Sequence, residues 1–420
     1  MSDRTKPAKG PPAPAPQSCT IVLPTNGLFD SRTFRIAGSL VARGHTVTVI
    51  ARAEQGLAAD ETHEAGYRIL RVGASRGRPG RRGGPRRSLL RAWSAGARVV
   101  GGAFAVRSQR RAAHDVAPRA DLVHAMGYMG IPIGLDLGRR DGVPVIYDAR
   151  DIYVDAANLA RLPRPIRSLA GRFERRWARR ASRVVTVNRP YAEVMAERFG
   201  VTTPLVVLNC SYGRDGRPER STRIRDALGL RPETRIVLYH GGFSRDRGIE
   251  QLIDALPSLG EHVVLVLLGY GPLQAELERR AARPSLRRSL RVLPAVPPAE
   301  LLDWVASADV VAMPIQPTTL NHRLTTPNKL FEAMAAGVSV VASDLPGMAT
   351  IVRETGCGVL CDPTRPAAIA AAIRSVLDAP SAEQAAYRQR ALAATRDRYN
   401  WESQMELLLA EYGRLTGRPW

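Results

Sequence analysis

Hydrophobic and polar positions along the chain form two alternating kinds of segment. Short apolar runs at 20–24 and 46–51 have the length of buried strands, and between them apolar residues recur every three or four positions, as in helices. The alternation starts again after residue 234, with apolar runs at 235–239 and 263–268. Strands alternating with helices in this way predict an α/β protein with two parallel, doubly wound, Rossmann-like sheets.

The chain of 420 residues exceeds what one hydrophobic core ordinarily spans, so we expect two domains. A polar linker at 209–222 marks the boundary. The predicted parts are a disordered tail at 1–18, an N-terminal Rossmann-like domain at 19–212, a C-terminal one at 213–398 and a final helix at 399–420. We expect the two domains to face each other across a cleft, with the apolar stripe of the final helix packing at their junction and crossing back to the N-terminal domain.

The stretch 326–347 carries the clearest local signals in the chain. Thr326 can cap a helix, Pro327 suits the first helical position, and Gly337 supplies a left-handed stop before a buried strand.

The start of this helix has the chemistry of an anion site. We expect free backbone N–H groups at Asn328, Lys329 and Leu330, with the lysine adding a positive charge beside them. Glu332 lies one turn further along, among apolar residues. A carboxylate next to a phosphate pocket usually binds a neutral, hydroxylated group such as a ribose.

Two further strand ends in the second half are rich in glycine. Gly241 and Gly242 follow one strand, Gly269 and Tyr270 follow the next, and Arg247 begins the helix between them. Glycine lets backbone approach an anion closely. Because carboxyl ends of parallel strands meet at one edge of a sheet, these elements and the helix start described above predict one phosphate-binding crevice.

Polar residues also cluster near strand ends in the first half. Asn26 and Gly27 form a turn after the first strand, His124 ends a strand, and Asp148 and Arg150 follow another. Open α/β sheets bind ligands at such positions. The chain lacks Gly-x-Gly-x-x-Gly here, so we expect no tightly bound dinucleotide.

The charge balance attracts anions without specifying which kind. The 61 Lys and Arg residues against 39 Asp and Glu give a formal charge of +22. Aromatic residues are only 5% of the chain and no nucleic-acid-binding motif is recognised, so we expect no specific nucleic-acid partner. The four scattered cysteines complete no zinc site, and we expect neither a signal peptide nor a transmembrane helix, because no apolar run of membrane-spanning length occurs. These features favour a cytoplasmic protein with reduced cysteines.

A basic segment in the first half has two interpretations. Residues 74–88 are rich in Gly, Pro and Arg, and a helix is predicted over 86–113. The apolar face of that helix favours ordinary packing in a core. The alternative is a basic amphipathic helix on an anionic membrane surface, with residues 76–111 as the contact, which would make the protein peripheral on the cytoplasmic face.

Several of these segments together resemble the signature of glycosyltransferase family 4. They are 327–344 with Glu332, Gly241-Gly242-Phe243-x-x-x-Arg247-Gly248, Gly269-Tyr270-Gly271-Pro272 and Ala308-Asp309-Val310. The resemblance implies the GT-B fold and retaining transfer of a sugar from a nucleotide-diphosphate donor, without metal or cofactor. It covers nearly the whole chain beyond residue 18 and is most specific in the second half.

Carried over by position, the resemblance implies a role for individual residues, with none assigned as a nucleophile. Glu332 would hold the donor ribose. The residues implied at the donor diphosphate are Arg247, Lys329, Gly241, Gly242, Asn328 and Leu330. Those implied at the nucleotide are Gly269, Tyr270 and Val296. Those implied on the acceptor side are Asn26, Gly27, His124, Asp148 and Arg150.

Two positions depart from the family pattern. Leu324 stands where the first glutamate of the family's Glu-x7-Glu motif is expected, and Gly242 replaces an arginine of the diphosphate site. Lys329 could replace that missing charge. The sequence therefore predicts a glycosyltransferase acting on an unidentified acceptor, such as a lipid-linked or cell-envelope glycan precursor. The alternative is a catalytically weak or inactive nucleotide-binding protein of the same fold.

Overall fold

A computed structural model of the chain describes residues 15–28, 30–73, 106–156, 159–213 and 220–420. Most of the predicted tail, most of the helix predicted at 86–113 and most of the membrane segment predicted at 76–111 lie outside the described residues. Within the described ranges, no helix is both long and apolar enough to cross a membrane.

Among the described residues, the first sheet has eight strands, in the order β3-β4-β2-β1-β5-β6-β7-β8. Their ranges are β1 Ser18–Val22, β2 Thr46–Arg52, β3 Asp60–Thr62, β4 Arg68–Val72, β5 Leu122–Met126, β6 Val145–Asp148, β7 Arg183–Thr186 and β8 Leu205–Val206. Strand β1 pairs in parallel with β2 and β5, as predicted, whereas β3 runs antiparallel to β4. The sequence did not indicate β3, because its three residues, Asp-Glu-Thr, give no apolar signal.

Helices connect these strands. Their ranges are α1 Ser31–Val41, α2 106–116, α3 Gly127–Asp141, α4 Arg164–Ala178 and α5 Arg189–Phe199. Asp30 caps α1 by accepting a hydrogen bond from the Thr33 N–H at 3.0 Å. Helix α3 packs closely on β6, since a Cβ added at Gly138 would come within 2.1 Å of the Val145 side chain.

The second sheet has six parallel strands, in the order β11-β10-β9-β12-β13-β14. The strand ranges are β9 Arg235–Gly242, β10 Val263–Tyr270, β11 Leu290–Pro294, β12 Val310–Met313, β13 Ser339–Ser343 and β14 Gly358–Cys361. The helix ranges are α6 Arg223–Leu228, α7 Ile249–Ala255, α8 Gln274–Ala281, α9 Leu301–Val305, α10 Leu320–Leu324, α11 Asn328–Ala335, α12 Pro346–Thr355, α13 Pro366–Leu377, α14 Ser381–Asp397 and α15 Trp401–Thr416.

Apolar cores cover both faces of this second sheet. Ile236 and Leu238 of β9 belong to one buried cluster, and Val237 and Tyr239 belong to the cluster on the opposite face. Residues on a strand point alternately to the two faces, so a strand that is buried on both sides reads as a continuous apolar run. That is why the sequence predicted these strands well.

The chain folds into two compact units that are each discontinuous in sequence. One comprises residues 1–149, 176–184 and 405–420, and the other comprises 150–175 and 185–404. The part of α15 from Met405 onward therefore belongs to the first unit, in agreement with the predicted return of the final helix.

Candidate functional site

The glycine-rich ends of β9 and β10 lie side by side, as predicted. Gly241 is opposite Gly269 in the parallel register, and Gly242 is opposite Tyr270. A Cβ at Gly269 would lie only 2.0 Å from the Gly241 carbonyl oxygen. Glycine is therefore needed at position 269 for the two backbones to approach each other at this edge of the sheet.

Lys329 reaches the same edge from α11. Its Nζ lies 3.5 Å from the centroid of the Tyr239 ring, and a Cβ added at Gly241 would lie 3.9 Å from that nitrogen. The lysine is only 9% exposed. Burial and the nearby charge of Arg247 lower its pKa well below the ordinary value, and Glu332 partly opposes them. The ammonium is thus held beside the glycine backbone at a cost that a bound anion would relieve.

The sequence contains a further signal at the position of Lys329. Lys329 is the only lysine beyond residue 9, in a chain whose other basic residues are arginines. An ammonium is a compact charge whose pKa shifts readily on burial, whereas a guanidinium stays protonated. Because lysine is so rare elsewhere in the chain, the sequence alone singles out Lys329.

Arg247 supplies a second positive charge to the edge from a tightly constrained loop. Burial lowers the pKa values of both Lys329 and His322, and the charge of Arg247 lowers them further. Asp246 beside it has a φ of 66°, the only positive φ at a non-glycine residue in the described ranges. The Asp246 carbonyl accepts a hydrogen bond from the Gln316 N–H at 3.0 Å. The backbone next to Arg247 is therefore fixed in a conformation that L-residues rarely adopt.

Glu332 is held by a histidine that the sequence did not single out. His240 Nε2 lies 2.9 Å from Glu332 Oε2, and the ring therefore donates its N–H to the carboxylate. His240 is 1% exposed, and its Nδ1 makes no hydrogen bond with the described residues. The available signal was a polar residue interrupting the apolar run just before Gly241.

The start of α11 differs from the prediction in two respects. Pro327, not Thr326, is the N-cap; the Thr326 hydroxyl instead donates to the Gly347 carbonyl at 3.0 Å. The Leu330 N–H donates to the Pro327 carbonyl at 3.0 Å, so the prediction of a free N–H there was wrong. A tight first turn satisfies this donor internally. The Asn328 side chain accepts a hydrogen bond from Asn209 Nδ2 at 2.8 Å.

Helix α10, which the sequence analysis did not predict, fixes the segment around Leu324. Asn321 Oδ1 accepts from the Ile152 N–H at 2.8 Å, and its Nδ2 donates to Asp151 at 3.0 Å. The Leu324 carbonyl accepts from Asn188 Nδ2 at 2.8 Å. The segment that replaces the first motif glutamate is therefore anchored on both sides, within one unit.

Arg150, next to Asp151, is partly exposed, and Val296 packs partly buried against the core.

His124 and Asp148, implied on the acceptor side, lie inside the first unit. Asp148 Oδ2 accepts from Arg32 Nε at 2.7 Å and lies 3.1 Å from His124 Nε2. His124 Nδ1 lies 2.6 Å from the Tyr412 hydroxyl, and all four side chains are fully buried or nearly so. Burial alone would raise the pKa of Asp148, but Arg32 and His124 hold it well below its usual range. The polar groups of these four side chains therefore contact one another inside the first unit.

Hydrogen bonds to other residues of the protein also hold the turn at Asn26 and Gly27 in place. Asn26 Nδ2 donates to Glu54 Oε2 at 2.8 Å, and its backbone carbonyl accepts from Arg71 Nε at 2.8 Å. Gly27 has a φ of 82°, which a glycine adopts without strain.

The architecture described above is found in solved glycosyltransferases. Sucrose-phosphate synthase from Thermosynechococcus elongatus is similar to this chain with a TM-score of 0.73 and 19% identity, covering 96% of this chain and 99% of that one. Anabaena HepE, solved with UDP-glucose, gives 0.66 at 19% identity over 95% and 100% of the two chains. WaaG, a glycosyltransferase involved in lipopolysaccharide biosynthesis, gives 0.63 at 17% over 95% and 100%. The fold is GT-B.

Sequence comparison identifies the family. Residues 30–210 match the model described as "Glycosyl transferase 4-like domain", and residues 234–379 match "Glycosyl transferases group 1". The chain belongs to glycosyltransferase family 4.

Relatives within the family are similar over different shares of their length. The D-inositol 3-phosphate glycosyltransferase of Xylanimonas cellulosilytica is 33% identical over 201 residues, which are 47% of this chain and 46% of that protein. That of Segniliparus rotundus is 28% identical over 327 residues, or 74% and 70%. The match to the first of these thus spans less than half of the relative.

Proposed function

We propose that this protein transfers a sugar from a nucleotide-diphosphate sugar to an acceptor, with retention of configuration and without metal or another cofactor. The supporting observation is the pairing of two positive groups, Arg247 and the buried Lys329, at a glycine-lined strand edge. Glu332, held by His240, lies one helical turn beyond the lysine.

The donor diphosphate would lie against the two cations at the ends of β9 and β10. Both positive charges stabilise the negative charge that grows on the leaving phosphate as its bond to the anomeric carbon breaks. The acceptor oxygen bonds to that carbon on the same face, and the leaving phosphate takes the acceptor's proton. Glu332 accepts hydrogen bonds from the ribose hydroxyls, while His240 fixes the orientation of its carboxylate.

The comparisons suggest which donors and acceptors to test first. HepE was solved with UDP-glucose, and the relatives are named for inositol 3-phosphate. We propose an acceptor among phosphorylated polyols and lipid-linked or cell-envelope glycan precursors, reached at the cytoplasmic face of the membrane.

A donor and acceptor screen with the purified protein tests this proposal. Release of nucleoside diphosphate would be measured for several sugar nucleotides with each acceptor class, with and without EDTA. NMR of the product would report the anomeric configuration. Acceptor-dependent release that survives EDTA, with a retained anomer, is the expected result. An inverted product would refute retention, and loss of activity with EDTA would refute metal independence.

The alternative is a nucleotide-binding protein without transferase activity, and Leu324 is the observation that favours it. The motif position that usually approaches the donor sugar has no carboxylate here. Tight nucleotide binding by calorimetry, together with no turnover of any donor or acceptor, would establish this alternative.

A further inference from the structure

A buried asparagine of α10 holds one oxygen of the Asp151 carboxylate. Asp151 Oδ1 accepts a hydrogen bond from Asn321 Nδ2 at 3.0 Å, and Asn321 Oδ1 accepts one from the Ile152 N–H at 2.8 Å. The Asn321 carbonyl accepts a further hydrogen bond from the Tyr191 hydroxyl at 2.8 Å. Asn321, Ile152 and Tyr191 are all buried. The carboxylate is therefore oriented by groups that are themselves fixed by packing.

The second oxygen of this carboxylate is available to a ligand. Asp151 is partly exposed, and its Oδ2 accepts no hydrogen bond from another residue within the described ranges. A carboxylate that is fixed through one oxygen can receive a ligand at the other with little loss of side-chain freedom. Residue 151 and Asn321 both belong to the second compact unit, which also contains the glycine-rich strand ends.

Asp151 lies in the same electrostatic environment as Arg247, the cation proposed to bind the donor diphosphate. Burial raises the pKa of Tyr191 and the charge of Asp151 raises it further, whereas Arg247 lowers it. Burial and Arg247 lower the pKa of His322, and the charges of Asp246 and Asp151 oppose them. Because Asp151 and Arg247 act on the same two side chains, the carboxylate lies near the proposed diphosphate site.

A carboxylate near that site suits a neutral group that donates hydrogen bonds. It repels the negative diphosphate, which the positive charges of Arg247 and Lys329 attract. In a nucleotide sugar, the sugar is bonded directly to the diphosphate, so sugar hydroxyls are the neutral donors nearest to the phosphates. Leu324, on the same helix as Asn321, brings no polar side chain to this region.

We propose that Asp151 binds the sugar of the nucleotide-sugar donor and that Asn321 is the residue that positions it. The inference rests on the proposed transferase function and specifies its donor: Asp151 Oδ2 accepts a hydrogen bond from a hydroxyl of a neutral hexose. A uronic acid would bring a second carboxylate close to Asp151, and the two like charges would repel each other. The protein therefore selects neutral sugars, and Asp151 provides an acidic group at the donor sugar although position 324 is a leucine.

Isothermal titration calorimetry with the full chain and no acceptor tests the sugar contact. The nucleoside diphosphate that the wild type binds most tightly among UDP, GDP and ADP would be compared with its glucose, mannose and glucuronate conjugates. We expect Asp151→Asn to change the affinity for the free diphosphate less than about twofold and to lower that for the preferred neutral conjugate about tenfold. The wild type should bind the glucuronate conjugate at least about tenfold more weakly than the neutral one, and Asp151→Asn should narrow that gap.

Two further variants separate a sugar contact from a general loss of structure. Asp254→Asn removes an exposed carboxylate that pairs with Arg280 at 3.1 Å, and it should bind every ligand like the wild type. Asn321→Ala should lower the affinity for the neutral conjugate but add little to the effect of Asp151→Asn, because the two residues act together. Circular dichroism would verify that each variant keeps its fold.

The possible failures of this proposal and of the proposed function differ in the same experiment. Equal losses for the free diphosphate and its neutral conjugate, or a wild type that binds the glucuronate conjugate equally well, would overturn the assignment of Asp151 and leave the transferase function standing. Unchanged donor binding with a raised acceptor KM in Asp151→Asn would place the residue at the acceptor and also overturn it. A wild type that binds none of the three nucleoside diphosphates would refute the proposed function itself.

Discussion

His240 and Glu332 are joined by a 2.9 Å hydrogen bond although 92 residues separate them in the chain. The histidine ends the buried part of β9, and the glutamate lies on α11. Because the ring is buried, the Glu332 carboxylate is oriented by a rigid donor and not by solvent. A carboxylate held in this way can receive a ligand's hydroxyl groups with little loss of side-chain freedom.

Glu332→Gln tests the ribose contact. Hydrogen bonds to a charged group contribute about 1.5–3 kcal/mol, so the affinity for a ribonucleoside diphosphate should fall roughly 10- to 100-fold. Affinity for the 2′,3′-dideoxy analogue should hardly change, because it lacks the hydroxyls. Isothermal titration calorimetry measures both. Glu278→Gln, which makes the same charge change at an exposed position of α8, is the control. Equal losses for the two ligands would place Glu332 elsewhere than at the ribose.

His240→Leu should reproduce part of that loss through Glu332. The variant removes the donor that orients the carboxylate, whereas His240→Gln keeps an N–H donor and should retain more affinity. In the double variant with Glu332→Gln, the His240→Leu change should cost little more, since residues that act together are not additive. If the two losses of binding free energy add fully in the double variant, His240 contributes to binding independently of Glu332.

The local sequence pattern predicted the strands, the glycine-rich ends of β9 and β10, and the candidate site residues Lys329 and Glu332. It did not predict the His240–Glu332 contact, because the pattern of β9 shows only one polar residue in an apolar run. It also gave no sign that Arg32 would bury its charge against Asp148. Both contacts join residues on separate elements far apart in the chain, and such pairing is set by tertiary packing, which local periodicity does not encode.

Lys329 should make donor binding sensitive to pH. Its pKa is lowered in the free protein, and a bound diphosphate would raise that pKa by favouring the ammonium. Affinity for a nucleotide sugar, whose diphosphate does not titrate near neutrality, should therefore fall as pH rises through the pKa of the free protein. Calorimetry in buffers of different ionisation enthalpy should detect proton uptake. Lys329→Met should bind at least about tenfold more weakly and take up no proton.

The same lysine should reduce the stability of the folded protein. Its folded-state pKa lies below its unfolded-state pKa, so between the two values the unfolded chain binds more protons and stability rises with pH. At pH values below the folded-state pKa, the loss of stability caused by burying the charged lysine is present in full. Lys329→Met removes the charge at similar volume, so its melting temperature should exceed that of the wild type at low and neutral pH. The gap should narrow as pH rises. A variant that melts lower at every pH would show that the contact with Tyr239 outweighs the cost of burial.

Asp148 should be essential for the stability of the first unit. Removing one partner of a buried ion pair leaves an uncompensated charge, so Asp148→Asn should cost about 3–5 kcal/mol in urea unfolding. Asp60→Asn breaks a pair with Arg68 in which both side chains are half exposed, and it should cost far less because solvent screens the two charges. The folded-state pKa of Asp148 is lowered, so its contribution is present above the unfolded-state pKa of about 3.9 and disappears as pH falls through the folded-state value. Asp148→Asn should therefore flatten the loss of stability in acid. Equal costs for the two variants would mean that the buried pair contributes no more than a surface one.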